Sequence, residues 1–190
     1  MPPAVERAMD ATWRAHPGWE YRRHDLRSAA AFLEASPDPG IRKAFRLARY
    51  PSQKADLFRY AILAAEGGAF VDATTPCFRS IDRLVSTRHR LVVHQEEKLG
   101  SAGDGLLAAA PGHPAIEAAV AAIVDGFLDY ANDERWLSSG PGLLSRSVAS
   151  HVATTGVGCL EGDLLVLASH EVRRAVSLGF PLDLSRGARR

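Results

Sequence analysis

Apolar residues recur along this chain at three- and four-residue spacing, and short apolar runs separate these stretches. Val5, Ala8, Met9, Thr12 and Trp13 share one stripe, which predicts a helix over residues 3–16, stopped by Pro17-Gly18. Residues 19–24 alternate aromatic and charged side chains and read as a short strand. Ser28 is the expected N-cap of a helix running to Glu34, and Ser36-Pro37-Asp38-Pro39-Gly40 breaks it. A helix over 41–50 and a second one from a Ser52 cap to Glu66 follow, the latter with an apolar stripe of Ala55, Phe58, Ile62 and Ala65. Strands are expected at 69–71, 90–94, 106–109 and 164–167. Long helices are expected at 114–130, where Pro114 suits a first turn, and from Gly140-Pro141-Gly142 to about residue 153. With helices and strands alternating and no linker or repeat, the chain reads as one α/β domain over residues 1–190 with a mostly parallel sheet.

The densest stretch for chemistry is 54–82. A helix carrying Asp56 and Arg59 ends at Gly67-Gly68, and an apolar strand then runs directly into Asp72 and the turn Ala73-Thr74-Thr75-Pro76. An acid at the end of a buried strand needs a partner or a cleft, so Asp72 is the leading ligand-contacting residue. The plain alternative is an aspartate that bonds the backbone of Thr74 or Thr75 within its own turn. Asp56 and Arg59, at i and i+3, are equally readable as a surface ion pair or as a carboxylate and guanidinium holding a polyol. Gly140 and Gly142 at a helix entry are either a phosphate- or sugar-binding turn or a tight loop. His113, in Pro111-Gly112-His113-Pro114, is expected mainly to shape a loop. Trp13, Trp19 and Tyr21 are expected in the core.

Composition narrows the classes. The chain has 190 residues, 46% hydrophobic and 24% charged, with a net charge of +1 and interleaved signs, which argues against nucleic acid as the main partner. Its two cysteines, Cys77 and Cys159, make neither a disulfide framework nor a zinc site, and the seven histidines contain no i, i+4 pair. The N-terminus lacks a signal-peptide core, and no apolar run reaches the roughly 20 residues of a membrane span. A cytoplasmic protein is expected, with peripheral membrane association left open. Nucleophile-elbow, P-loop and dinucleotide-binding motifs are absent.

Taken together, Ala55-Asp56-Leu57-Phe58-Arg59-Tyr60 and Gly67-Gly68-Ala69-Phe70-Val71-Asp72-Ala73-Thr74 resemble glycosyltransferase family 32, the DXD sugar-transferase group, and its capsular-polysaccharide relatives. Gly103–Pro114 and Ser138–Arg146 resemble two further elements of that family, so the resemblance runs from about residue 3 to 174. It implies a GT-A-like nucleotide-sugar-binding domain and a retaining hexosyltransferase. Such an enzyme moves sugar from a nucleotide-sugar donor to a saccharide or glycolipid acceptor in polysaccharide biosynthesis, as in capsule formation. It implies Asp72 at the ribose–diphosphate and the divalent cation (Mn²⁺ or Mg²⁺), and Asp56 and Arg59 on the donor sugar. Thr74 stands where the second acid of D-x-D is expected and brings no charge to a metal, so it is expected as a weak contact. The resemblance also implies a first strand ahead of residue 3, which the domain is expected to lack. The other reading is a truncated, inactive glycosyltransferase-like domain that binds a saccharide or a protein partner.

Overall fold

The computed structural model describes residues 2–85, 88–131 and 133–178. Four helices come first: α1 (Pro3–Arg14), α2 (Leu26–Glu34), α3 (Pro39–Leu47) and α4 (Pro51–Glu66). Then follow β1 (Gly68–Val71), β2 (Leu91–Gln95), β3 (Ala102–Ala109), α5 (Pro114–Leu128), α6 (Arg135–Ser138), α7 (Pro141–Thr155), a 3-10 turn at Val157–Glu161, β4 (Leu164–Leu167) and α8 (Ser169–Val172). The two long C-terminal helices and the last strand lie where periodicity placed them. The segment 19–24 is irregular rather than a strand.

Helix starts follow local chemistry. Asp25, not Ser28, caps α2: its carboxylate accepts from Ser28 N, while Ser28 Oγ accepts from Asp25 N. Pro51 occupies the first turn of α4, and Gln53 reaches back to accept from Arg49 N and Tyr50 N, so Ser52 is not the cap. Gly67 ends α4 at φ 70°. α4 is buried from Leu57 through Leu63, while Ala55 and Ala65 are exposed. It packs against both α2 and α5, which leaves no narrow apolar stripe.

The sheet order is β1-β3-β2-β4. β1 and β2 each pair antiparallel with β3, and only β2 and β4 are parallel. The expected mostly parallel sheet is therefore corrected to a mixed one. No helix lies between β2 and β3, and a short turn (Glu96 N to Ser101 O, 2.7 Å) can join only an antiparallel pair. Leu91, Val93, Leu107 and Ala109 face the core shared with α2–α5 and α7. Val92, Leu106 and Ala108 face a smaller core with Cys77, Ile81, Val172 and Val176. α1 is fastened to this second layer: Thr12 Oγ1 accepts from Cys77 N and His16 Nε2 from Ile81 N.

Candidate functional site

Residues expected to act together do converge. Arg59 lies mid-way along α4 with 4% of its side chain exposed, and its guanidinium meets three carboxylates. Nη1 is 3.2 Å from Asp56 Oδ1, one turn earlier on α4, and Nη2 is 3.0 Å from Asp72 Oδ2 at the end of β1. Nη1 also pairs with Asp104 Oδ2 on β3. The Phe70 ring stacks 5.1 Å from Arg59 Cζ. Asp56 and Arg59 are thus no surface pair. Exposure grades across the acids, 11% for the Asp56 side chain, 19% for Asp104 and 32% for Asp72, so Asp72 is the one nearest solvent.

Asp72 also closes its own turn: Oδ1 accepts from Thr74 N (2.8 Å) and Thr74 Oγ1 (2.7 Å). The turn-forming reading therefore holds for Oδ1, while Oδ2 pairs with Arg59. Asp72 N donates to Gly105 O, which locks the strand end to β3. On the inner side, Ser139 Oγ donates to Asp56 Oδ2 (2.7 Å). Burial pushes the Asp56 carboxyl up to about 6. Arg59 opposes that rise, Asp104 reinforces it, the Ser139 hydroxyl opposes it and Asp72 adds to it. One guanidinium cannot balance three carboxylates, and burial favours the protonated form of Asp56.

A cleft of about 420 Å³ opens between the irregular segment 19–25, α4 and β1, within the usual range for small-molecule sites. Trp19, Tyr21, Phe58, Arg59, Phe70 and Asp72 are among its lining. Trp13 and Trp19 are 54% and 37% exposed, so the expected core role for these tryptophans is corrected. Trp19 is instead held across the cleft wall by a 2.7 Å bond from Nε1 to Asp82 Oδ1, and Tyr21 by its hydroxyl to Met9 O.

Gly140 and Gly142 do not line this cleft. Gly140 is the N-cap of α7, and a Cβ on Gly142 would sit 2.4 Å from the Trp136 ring, so both serve a close loop that sets Ser139 beside Asp56. Asp104 and Ser139 were not among the residues picked from sequence. Gly103-Asp104-Gly105, a charge between two glycines in a strand, is the trace that Asp104 left.

Asp72 offers the oxygen donors that Mg²⁺ or Mn²⁺ take, but Oδ1 is engaged with Thr74 and Oδ2 with Arg59, and Thr74 adds no charge. A second cluster, His113, His151 and Asp163, lies at the start of α5, on α7 and before β4, with ligand atoms within 4.8 Å. Within it the buried His113 Nε2 makes no hydrogen bond among the described residues. His113 Nδ1 accepts from Ala115 N, so its proton sits on Nε2, 3.4 Å from Asp163 Oδ2, and His151 Nε2 is 2.6 Å from the same oxygen. Among the described residues no helix is long and apolar enough to cross a membrane.

Comparison with known proteins adds two findings. Residues 2–91 match a family model described as a glycosyltransferase sugar-binding region containing a DXD motif. A solved structure titled "PaToxG Glycosyltransferase" is similar in fold, with a TM-score of 0.55 and 16% identity over 82% of this chain. This chain spans 56% of that one. No curated protein matches.

Proposed function

From the match of residues 2–91 to the sugar-binding region of DXD-type glycosyltransferases, we propose that the chain is a glycosyltransferase that moves a sugar from a nucleotide-sugar donor to a saccharide or glycolipid acceptor. The observation that supports this best is that Arg59 and Asp72 pair in the lining of one cleft of ligand size, with Asp56 behind them on Arg59. In this reading the donor's nucleoside and diphosphate occupy the aromatic-walled cleft. Asp72, the most exposed of the acids, faces the ribose and diphosphate. Asp56 and Arg59 hold hydroxyls of the sugar, the first as acceptor and the second as donor. Arg59 Nε is a buried N–H that makes no hydrogen bond among the described residues. A divalent cation held by Asp72 with the Thr74 hydroxyl would offset the charge that builds on the leaving diphosphate. A hexose donor, retention of configuration and a role in polysaccharide synthesis at the cytoplasmic side of a membrane are carried from the family resemblance.

The test is a thermal-shift and calorimetric screen of UDP, GDP and their sugars with and without Mn²⁺. A ligand that binds only the folded state raises the melting temperature. One nucleotide-sugar should do so in a Mn²⁺-dependent way, and Asp72→Ala should weaken its binding at least tenfold, about 1.4 kcal/mol. A folded wild type that responds to no nucleotide would overturn the donor reading. A second reading, an inactive sugar-binding domain, rests on Thr74, whose hydroxyl is committed to Asp72 where the motif expects a second acid. Donor binding with no hydrolysis or transfer would select it.

A further inference from the structure

Asp104 is built into the strand in an unusual way. It sits between two glycines, one with no room for a side chain and the other with little. A Cβ on Gly103 would lie 2.2 Å from the His94 ring, and one on Gly105 would lie 3.0 Å from the Thr75 hydroxyl. The β2–β3 register is irregular here, shifting between Val92 and His94. Glycines weaken a strand unless a close approach requires them. Here they let β3 press against His94 and Thr75, and the residue between them reaches Arg59. Asp72 is tied to the same spot through its backbone bond to Gly105 O.

We propose that Asp104 is a positioning residue of the sugar site: its carboxylate anchors Arg59 Nη1 from β3 while Asp72 takes Nη2, and this shared hold fixes the guanidinium's place and limits its pairing with Asp56. The inference rests on the donor site proposed above, but its central observation needs no donor. Arg59 is long, and α4 alone supplies it with only Asp56. Without Asp104, Nη1 is free to turn wholly to Asp56, which then ionises more easily and presents a different hydrogen-bond face to the ligand. With Asp104, the buried acid stays the weakest partner. The groups that face Asp56 are Arg59 on its own helix, Asp72 on β1, Asp104 on β3 and Ser139 ahead of α7.

The experiment follows the Asp56 carboxyl by carbon-13 NMR across pH 4–8 in the ligand-free protein, in wild type, Asp104→Asn and Asp104→Glu. Removing an anion that disfavours ionisation lowers the midpoint, so Asp104→Asn should titrate at lower pH than wild type by about half a pH unit or more. Asp104→Glu should return toward wild type. The pH dependence of donor binding should move on its acid side in the same direction. An unmoved Asp56 midpoint in Asp104→Asn overturns the proposal. So does a midpoint that Asp104→Glu fails to restore. If Asp104→Asn does not fold, the wild-type Asp104 carboxyl decides. A coupled pair shows an inflection in its signal at the Asp56 midpoint, and a flat trace there overturns the coupling. Failure of the donor reading is separate: wild type would bind no nucleotide-sugar while Asp56 still responded to Asp104.

Discussion

Asp56 is an acid whose surroundings favour its proton. Folded, it holds that proton up to about pH 6, whereas a free aspartate releases it near 3.8. Above pH 6 the folded state therefore carries a standing cost from this group, about 3 kcal/mol at 1.36 per pH unit. That cost disappears as pH falls through 6 toward 3.8, so this residue makes the protein relatively more stable in mild acid. Asp163 works the other way, since His151 and His113 hold its carboxyl below the usual range, and the comparison must be made between variants. Asp56→Asn should melt higher than wild type at pH 8 and match it near pH 4, while losing donor binding. Thermal unfolding from pH 4 to 8 checks the first half and calorimetry the second. At this scale sequence showed Asp56, Arg59 and Asp72, because they lie within one short stretch of helix, turn and strand. Asp104 left only its two flanking glycines and Ser139 no trace, since they stand 45 and 83 residues from their partners and no local spacing encodes such meetings.

The elements that position the site depend on a few tight passages. Gly67 turns α4 into β1 at φ 70°, and a Cβ there would fall 2.6 Å from Pro111 Cδ and 2.9 Å from Ala109 O. Gly67→Ala should cost about 2–3 kcal/mol or more, from a left-handed backbone and a steric overlap together. The loss would appear as a lower midpoint in urea. Periodicity read the helices well where caps and prolines mark them, as at Pro114 and Pro141. It failed on strand direction, because apolar runs of four or five residues look alike in parallel and antiparallel pairs. The clue lay in the connection: residues 96–101 are too few for a crossover helix, and parallel strands need one. It also failed at 19–24, where alternating aromatic and charged residues line an opening rather than a sheet.

In the whole molecule the site is a junction of α4, β1, β3 and the loop before α7. The family-matched portion, residues 2–91, contains Asp56, Arg59 and Asp72 but not β3, the strand partner of β1, nor Asp104 or Ser139. A fragment of residues 2–91 should therefore lack a cooperative unfolding transition, and calorimetry of that fragment against the full chain checks it. The same arrangement bears on synthesis. On a ribosome, Arg59 emerges long before Asp104, and Asp104 before Ser139, so a nascent chain spends an interval with its most buried cation held only by the acids of its own half. Asp56 gains its Ser139 partner only once residue 139 has been made, so a chain interrupted between residues 104 and 139 holds Arg59 in place with one face of Asp56 still open.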